Sequence, residues 1–312
     1  MKRIQRMKDA LQEIIIGQDN VIDLTLVALF NGGHILLESV PGTGKTLLAK
    51  TFAQVINVDF QRIQFTPDIL PSDVTELRFF HPQDQAFYLH KGPIFTNILL
   101  ADEVNRATPK TQSSLLEVMQ EQQVTIDGET HGIPAPFLVL ATQNPVESQQ
   151  GTYSLPAAQL DRFFLKIPMA YPAFEEERTL LQRHARQREH LPPPVLNADD
   201  ILALQREVEG ITIHRDVETY LLALVQETRT HSLLNVGVSP RGTIAWLRAA
   251  KGLAFIKGRA YVTPTDIQTI APYAVAHRLL LSMEGYMTKS VEDILNEVLE
   301  NVPVPVEEGS QR

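Results

Sequence analysis

The chain has 312 residues, 44% of them hydrophobic, with a formal net charge of -9. That supports a sizeable core and two domains, while the acidic balance speaks against a broad phosphate-tracking surface, so nucleic acid is not the expected partner. With no cysteine there are no disulfides and no thiolate chemistry, which suits a reducing compartment.

The amino-terminal stretch MKRIQRMKDALQEIII is charged throughout and lacks the apolar core, about 7–15 residues long, of a signal peptide. Its Ile4, Met7, Leu11 and Ile14 follow helical spacing instead. Apolar runs such as VIDLTLVALF fall short of the ~20 residues a membrane span needs. The expectation is a soluble, cytoplasmic protein with no membrane span.

Between about residues 35 and 170, short apolar runs alternate with helical patterns: HILLES, a helix through Leu48, Phe52 and Val55, FQRIQF, NILLADE, a helix through Leu115 and Met119, FLVLATQN and FFLKIPM. This alternation predicts an α/β fold with buried parallel strands in a three-layer αβα sandwich. Thr108-Pro109 supplies a cap and a first-turn proline for the helix after NILLADE. Two stretches interrupt the pattern and are expected to protrude: RFFHPQDQAFYL as a hairpin around Pro82–Gln85, and VTIDGETHGI with the turn signal Asp127-Gly128.

After Tyr171-Pro172 helix follows helix, and the expectation is an all-α second domain. Asn197 can cap a helix carrying Ile201, Leu204 and Val208; another holds Val217, Tyr220, Leu221 and Leu224; Ser239-Pro240 and Thr263-Pro264 each start one more. The prolines at 192–194 form a stiff linker and the stretch from 302 a frayed tail. The division expected is 1–172 for the α/β core, with an insert at about 68–93 and a hairpin at about 122–136, then 173–303 for the helical domain and 304–312 for a flexible tail.

The segment LLESVPGTGKTLLAK carries the chemistry. A phosphate loop is written G-x-x-x-x-G-K-S/T, and here Ser39 stands in the first glycine's slot. The rest is intact. Gly42 and Gly44 let the backbone curl so that successive N–H groups point inward, Lys45 reaches the β/γ-phosphates, and Thr46 offers its hydroxyl to Mg²⁺ at a helix N-terminus. The expected nucleotide contacts are Pro41, Gly42, Thr43, Gly44, Lys45, Thr46 and Leu47. A side chain at position 39 matters only where the backbone is left-handed or tightly packed, at a cost of about 1–2 kcal/mol.

In NILLADEVNR an apolar strand ends in Asp102-Glu103, 56 positions after Thr46. The aspartate would hold Mg²⁺ through water and the glutamate would polarise the attacking water; taken alone, the pair is equally a strand leaving the core. FLVLATQNP ends in Asn144, whose amide can hold that water or sense the γ-phosphate, or simply form an Asn-Pro turn. Arg162 in QLDRFF and Arg241 in VSPRG can each stabilise transition-state charge, or each serve as a surface ion-pair residue.

Taken in order, these motifs resemble an AAA+ ATPase, and more narrowly the MoxR family, in the clade with an insert in helix 2 and a hairpin before the sensor-1 strand. The matching stretches are IIGQDNVI, FTPDILPSDVT, GPIFTNILLADEVNRATPKTQSSLLEVMQEQQVTIDG, PFLVLATQNPVESQQGTYSLPAAQLDRFF and SPRGTIAWLRAAK. The resemblance implies ATP or ADP and Mg²⁺ as cofactors, Gly17 and Gln18 near the adenine, and Lys45 and Thr46 on phosphates and metal. It also implies Asp102-Glu103 as the Walker B pair, Asn144 as sensor 1, Arg162 as an arginine finger given to the neighbouring subunit, and Arg241 as sensor 2. A finger donated in trans requires a homo-oligomer, by resemblance a hexameric ring closed by head-to-tail contacts. The function implied is ATP hydrolysis driving a chaperone-like ring that remodels or matures protein clients with a von Willebrand A domain partner.

Three positions depart from the family pattern: Ser39 for glycine, Glu76 for glycine after PSDVT, and Ala157 for the acid in LPEAQLDRF. Competing classes are a metal-chelatase motor subunit, a DNA motor, and a non-hydrolysing nucleotide scaffold. The DNA motor would want a basic, aromatic hairpin tip, whereas VTIDGETHGI is acidic, and the scaffold sits poorly with the intact Asp102-Glu103. The nine histidines are dispersed, with no HExxH. EEER at 175–178 reads as an acidic first turn. Phe79, Phe80, Phe87 and Tyr88 form either the insert's own small core or a partner contact.

Overall fold

The computed structural model describes residues 2–81, 86–126, 128–144, 152–185 and 191–305. Residues 82–85, where the turn is expected, Asp127, Pro145 and residues 306–312 of the expected tail lie outside the described residues, as do the side chains of Phe79, Phe80, Phe87 and Tyr88.

Two helices, α1 (Lys2–Ile14) and α2 (Asp19–Phe30), lead into strand β1 (Ile35–Ser39). Ile4, Met7 and Leu11 of α1 are buried, as their spacing requires. Then come α3 (Lys45–Val55), β2 (Phe60–Gln64), α4 (Pro71–Thr75) and the antiparallel pair β3 (Glu76–His81) and β4 (Ala86–Lys91). Glu76, where glycine was expected, opens β3 opposite Lys91.

The core resumes with β5 (Ile98–Asp102), α5 (Pro109–Glu121), the hairpin β6 (Gln123–Ile126) and β7 (Glu129–Gly132), β8 (Leu138–Gln143), α6 (Ala157–Leu160) and β9 (Leu165–Met169). Thr108 caps α5 by accepting from the Thr111 N–H. Five of these strands form one sheet in the order β2-β5-β8-β1-β9, with every pairing parallel.

Period-two alternation divides the sheet's side chains between two cores. Ile35, Leu37, Ile98, Leu100, Leu138, Leu140, Leu165 and Ile167 face α1, α2 and α3. Leu36, Leu99, Ala101, Val139 and Ala141 face α4, α5 and the β6–β7 hairpin. Both faces are covered, which is why these strands read as continuous apolar runs.

The second part is helical: α7 (Phe174–Ala185), α8 (Ala198–Glu209), α9 (Arg215–Thr230), α10 (Pro240–Ile256), α11 (Pro264–Ala274), α12 (Met283–Thr288) and α13 (Val291–Asn301). Asn197, Ser239 and Thr263 each cap the helix expected of them. The expectation of an all-α domain needs one amendment. Leu234–Val236 (β10) and Leu280–Leu281 (β11) form a short antiparallel pair, too brief to carry a strand-length apolar pattern.

The first core runs unbroken from the sheet through Val27, Leu29 and Phe30 into Trp246, Ala249, Leu253 and Ile270 of the helical part. A Cβ on Gly252 of α10 would come within 2.5 Å of Asn31 Nδ2 at the end of α2, so a side chain there would have to push the Asn31 amide off the Val27 carbonyl.

Candidate functional site

All five strands are parallel, so their carboxyl ends share one edge of the sheet, and the loops after the adjacent strands β5, β8 and β1 meet there. Beyond β1, Gly42 and Gly44 take φ of +85° and +87°, and a Cβ on either would meet no atom within 4 Å. Their side chains are absent for conformational rather than steric reasons. Gly44 is the N-cap of α3, and no side chain caps the helix there. The first-turn N–H groups thus face a position suited to an anion. The Thr43 hydroxyl donates to the Val40 carbonyl at 3.1 Å and pins the loop, while among the described residues none hydrogen-bonds the Thr46 hydroxyl.

Ser39 is not in the left-handed region. It ends β1 in register with Met169 of β9, buried at 2% exposure, with no partner for its hydroxyl among the described residues. The conformational reason for a glycine is therefore missing at this position. Leu47 is exposed beside the loop, as is Pro41.

The acidic pair meets this loop on the α3 face of the sheet. Lys45 Nζ lies 3.7 Å from Asp102 Oδ1. That same Oδ1 accepts from the Thr142 hydroxyl at 2.6 Å, and Oδ2 accepts from the Arg62 guanidinium at 2.7 Å. Burial alone would raise the Asp102 carboxyl, but the Thr142 hydrogen bond and the charges of Arg62 and Lys45 outweigh it and hold the group below its ordinary range. Asp102 is a carboxylate with its charge kept.

Glu103 follows at φ +59°, a left-handed conformation for a non-glycine residue. Such a position costs about 1–3 kcal/mol and gathers at functional sites. Its N–H donates to the Thr142 hydroxyl at 2.9 Å, so one hydroxyl bridges both acids. Its Oε2 accepts from Gln64 Nε2 at 2.8 Å and pairs with Arg106 Nε at 3.0 Å.

Asn144 is buried just beyond β8. Among the described residues, Arg162 and Arg241 make no hydrogen bond or ion pair with this cluster. Arg162 follows α6 half-buried, and among the described residues none accepts from its guanidinium. Arg241 opens α10, exposed, 3.5 Å from Gln120 Oε1 of α5. Gly17 and Gln18 sit at the α1–α2 corner. Gln18 donates to the Ala170 carbonyl at 2.9 Å, and a Cβ on Gly17 would lie 2.4 Å from Glu176 Oε2. The pair therefore packs on the segment joining the sheet to the helical part.

Sequence reasoning missed Thr142, Arg62 and Gln64. A signal existed. Thr142 has the period-two parity of Leu140, which puts it on the same face as Asp102, and Gln64 is the register partner of Asp102. Which strand neighbours β5 is what the sequence does not state.

The residues fit a nucleotide with Mg²⁺: an uncapped helix start, a lysine, a hydroxyl and a carboxylate converge, and Mg²⁺ takes one or two such ligands besides water and phosphate oxygens. Among the described residues no group of three or more His, Asp or Glu could hold a metal by itself. The parallel sheet, phosphate loop and acidic pair define a P-loop protein of the AAA class. A family model described as "ATPase family associated with various cellular activities (AAA)" matches residues 34–165, and an AAA lid domain model matches residues 226–298.

The chain is 45% identical to an uncharacterised protein, YeaC, of Bacillus subtilis over 97% of its own length and 95% of the relative's. It is 41% identical to Chaperone MoxR1 of Mycobacterium tuberculosis, over 97% and 82% of the two chains. The crystal structure of a candidate ATPase from Cytophaga hutchinsonii superposes with a TM-score of 0.92 at 40% identity, covering 98% of this chain and 96% of that one. The chain belongs to the MoxR family of AAA+ ATPases.

Proposed function

We propose that this chain is an Mg²⁺-dependent ATPase that works as a homo-oligomeric ring, by family resemblance a hexamer, remodelling protein clients in the cytoplasm with a von Willebrand A domain partner. Residues 1–172 serve as the nucleotide-binding core, 173–303 as its lid and 304–312 as a tail. The observation that carries this reading is the Thr142 hydroxyl joining Asp102 to Glu103, with Lys45 at 3.7 Å and the uncapped start of α3 alongside.

Bound Mg²⁺ would draw charge from the β- and γ-phosphates. The chain's own groups do the rest. Lys45 and the N–H groups of residues 42–47 would bind phosphate oxygens, Thr46 and, through water, Asp102 would hold the metal, and Glu103 would accept the proton of the attacking water. Asn144 orients that water, Arg241 reports the γ-phosphate, and Arg162 completes the site of the next subunit. Gly17 and Gln18 line the base. Gln64 and Arg106 both hold Glu103 Oε2 and so orient this carboxylate at the sheet's edge. The chaperone designation of the Mycobacterium relative supports a protein client, as does the acidic net charge of -9. Among the described residues no helix is long and apolar enough to cross a membrane.

The test is ATP turnover against protein concentration with Mg²⁺. Activity should rise with concentration, fall about 10²–10⁴-fold in Glu103→Gln, the usual worth of a general base, fall in Arg162→Ala, and stay within about twofold in Ser39→Gly, since the Ser39 backbone is ordinary strand. If the wild type binds ATP yet turns over no faster than Glu103→Gln while Ser39→Gly restores activity, the chain is a nucleotide-dependent scaffold and the hydrolytic reading fails.

A further inference from the structure

Arg162 is the residue through which one subunit would act on the next, and the structure shows what holds it. The two ends of its short segment are fastened to the lid by a single side chain. Arg278, with 2% of its side chain exposed, follows α11 in the turn of residues 276–278. Its Nη1 donates to the Asp161 carbonyl at 2.7 Å and forms an ion pair with the Asp161 carboxylate. Its Nη2 donates to the Phe163 carbonyl at 2.6 Å, and its Nε to Ala274 at 2.7 Å within its own element. The residues before and after Arg162 are therefore both held from the lid. His277 adds a further contact, with Nε2 at 3.2 Å from the same Phe163 carbonyl.

The Asp161 carboxylate has a second lid partner. Ser239 Oγ donates to it at 3.2 Å while accepting from the Gly242 N–H at 3.0 Å. Ser239 is the N-cap of α10, two residues before Arg241, and a Cβ on Gly242 would touch Arg278 Cδ at 3.0 Å. The start of the helix that carries Arg241 and the backbone that carries Arg162 thus meet on one carboxylate.

We propose that Asp161 and Arg278 form a latch between the lid and the arginine finger, so that the lid position set by a subunit's own nucleotide, through Arg241, fixes the finger it presents to its neighbour. This rests on the trans-finger reading of Arg162. Asp161 and Arg278 are positioning residues, since neither touches the reacting atoms. A guanidinium bound to two carbonyls and a carboxylate around one loop leaves that loop no independent movement, because breaking a buried charged pair strands the remaining partner.

The experiment uses mixed rings. Subunits with Glu103→Gln keep their finger but lack their acid, whereas subunits with Arg162→Ala keep their acid but lack their finger; mixed, they should hydrolyse ATP where the first kind serves the second. Asp161→Ala placed in the finger-donating Glu103→Gln subunit should cut the mixed activity by at least about tenfold, as a displaced catalytic group commonly does. The same substitution in the Arg162→Ala subunit should cost no more than about twofold, which also shows that the substituted chain folds and hydrolyses. Arg241→Ala in the donor should also lower activity, and combined with Asp161→Ala it should add little, because both act through one link.

Equal losses on either side of the pair, or full additivity of the donor substitutions, would overturn the latch. Should the unmodified mixture be inactive while each wild-type ring is active, it is the trans-finger reading that falls. Arg278→Lys in the donor, which keeps the charge but cannot span two carbonyls and a carboxylate, should reproduce the donor-side loss.

Discussion

The cluster at the sheet's carboxyl edge and the seam between lid and core are both built on a charged pair, yet one is left open and the other closed. Around Asp102 the donors are supplied by three separate strands or helices, and beside them the start of α3 and the Thr46 hydroxyl have no partner among the described residues. In the seam every N–H direction of Arg278 meets an acceptor. A binding site keeps donors in reserve for a ligand, whereas a joint uses all of its own.

The largest effect that would sharpen this contrast is at Thr142. Thr142→Val keeps the shape but removes the hydroxyl that serves both acids, leaving Asp102 Oδ1 short of a donor and the Glu103 N–H without its acceptor. The expected destabilisation is about 1–3 kcal/mol, read from the urea midpoint, accompanied by lost turnover with nucleotide still bound. An unchanged midpoint would mean that water replaces the hydroxyl and the edge is not preorganised.

Acid should separate the two regions next. His277 in the seam and His34 beneath the sheet are buried neutral: burial pushes His277 well below its usual 6.5 and His34 to about 4. The unfolded chain takes up these protons first, so stability is complete above pH 6.5 and falls as the pH drops toward the folded values. For His34 the full loss is about 3 kcal/mol. The Asp102 carboxyl, depressed below 3.8, contributes stability that is present above that pH and is lost only as the pH falls through its folded value. Thermal melts from pH 7 to 5 should therefore show a decline that His277→Gln makes shallower and Arg62→Ala leaves in place. A flat wild-type profile in that range would contradict the buried neutral histidines.

Arg62 should give the smallest change. It occupies Asp102 Oδ2, yet its side chain is 45% exposed, which limits the pair to about 1 kcal/mol. Since Arg62 occupies the carboxylate proposed to hold the metal, Arg62→Ala should lower the Mg²⁺ or Mn²⁺ concentration needed for half-saturation by up to about fivefold. Titration calorimetry in the presence of a non-hydrolysable nucleotide would measure it. A higher requirement would show that Arg62 positions Asp102 for the metal rather than competing with it.

By itself the sequence determined whatever depends on neighbours a few positions away. Strand lengths, the glycines of the phosphate loop, the caps at Thr108, Asn197, Ser239 and Thr263, and the acids at the end of β5 are all set by backbone conformation or period-two parity, which leave a local mark. The order β2-β5-β8-β1-β9 left no such mark, so the company Asp102 keeps with Arg62 and Thr142, each 40 positions away, could not be read in advance. Nor could the short β10–β11 pair or the joining of Asp161 to Arg278 across 117 positions. Those contacts are decided only when the packed cores bring distant segments together, because the chain's pattern specifies which face is buried but not which partner buries it.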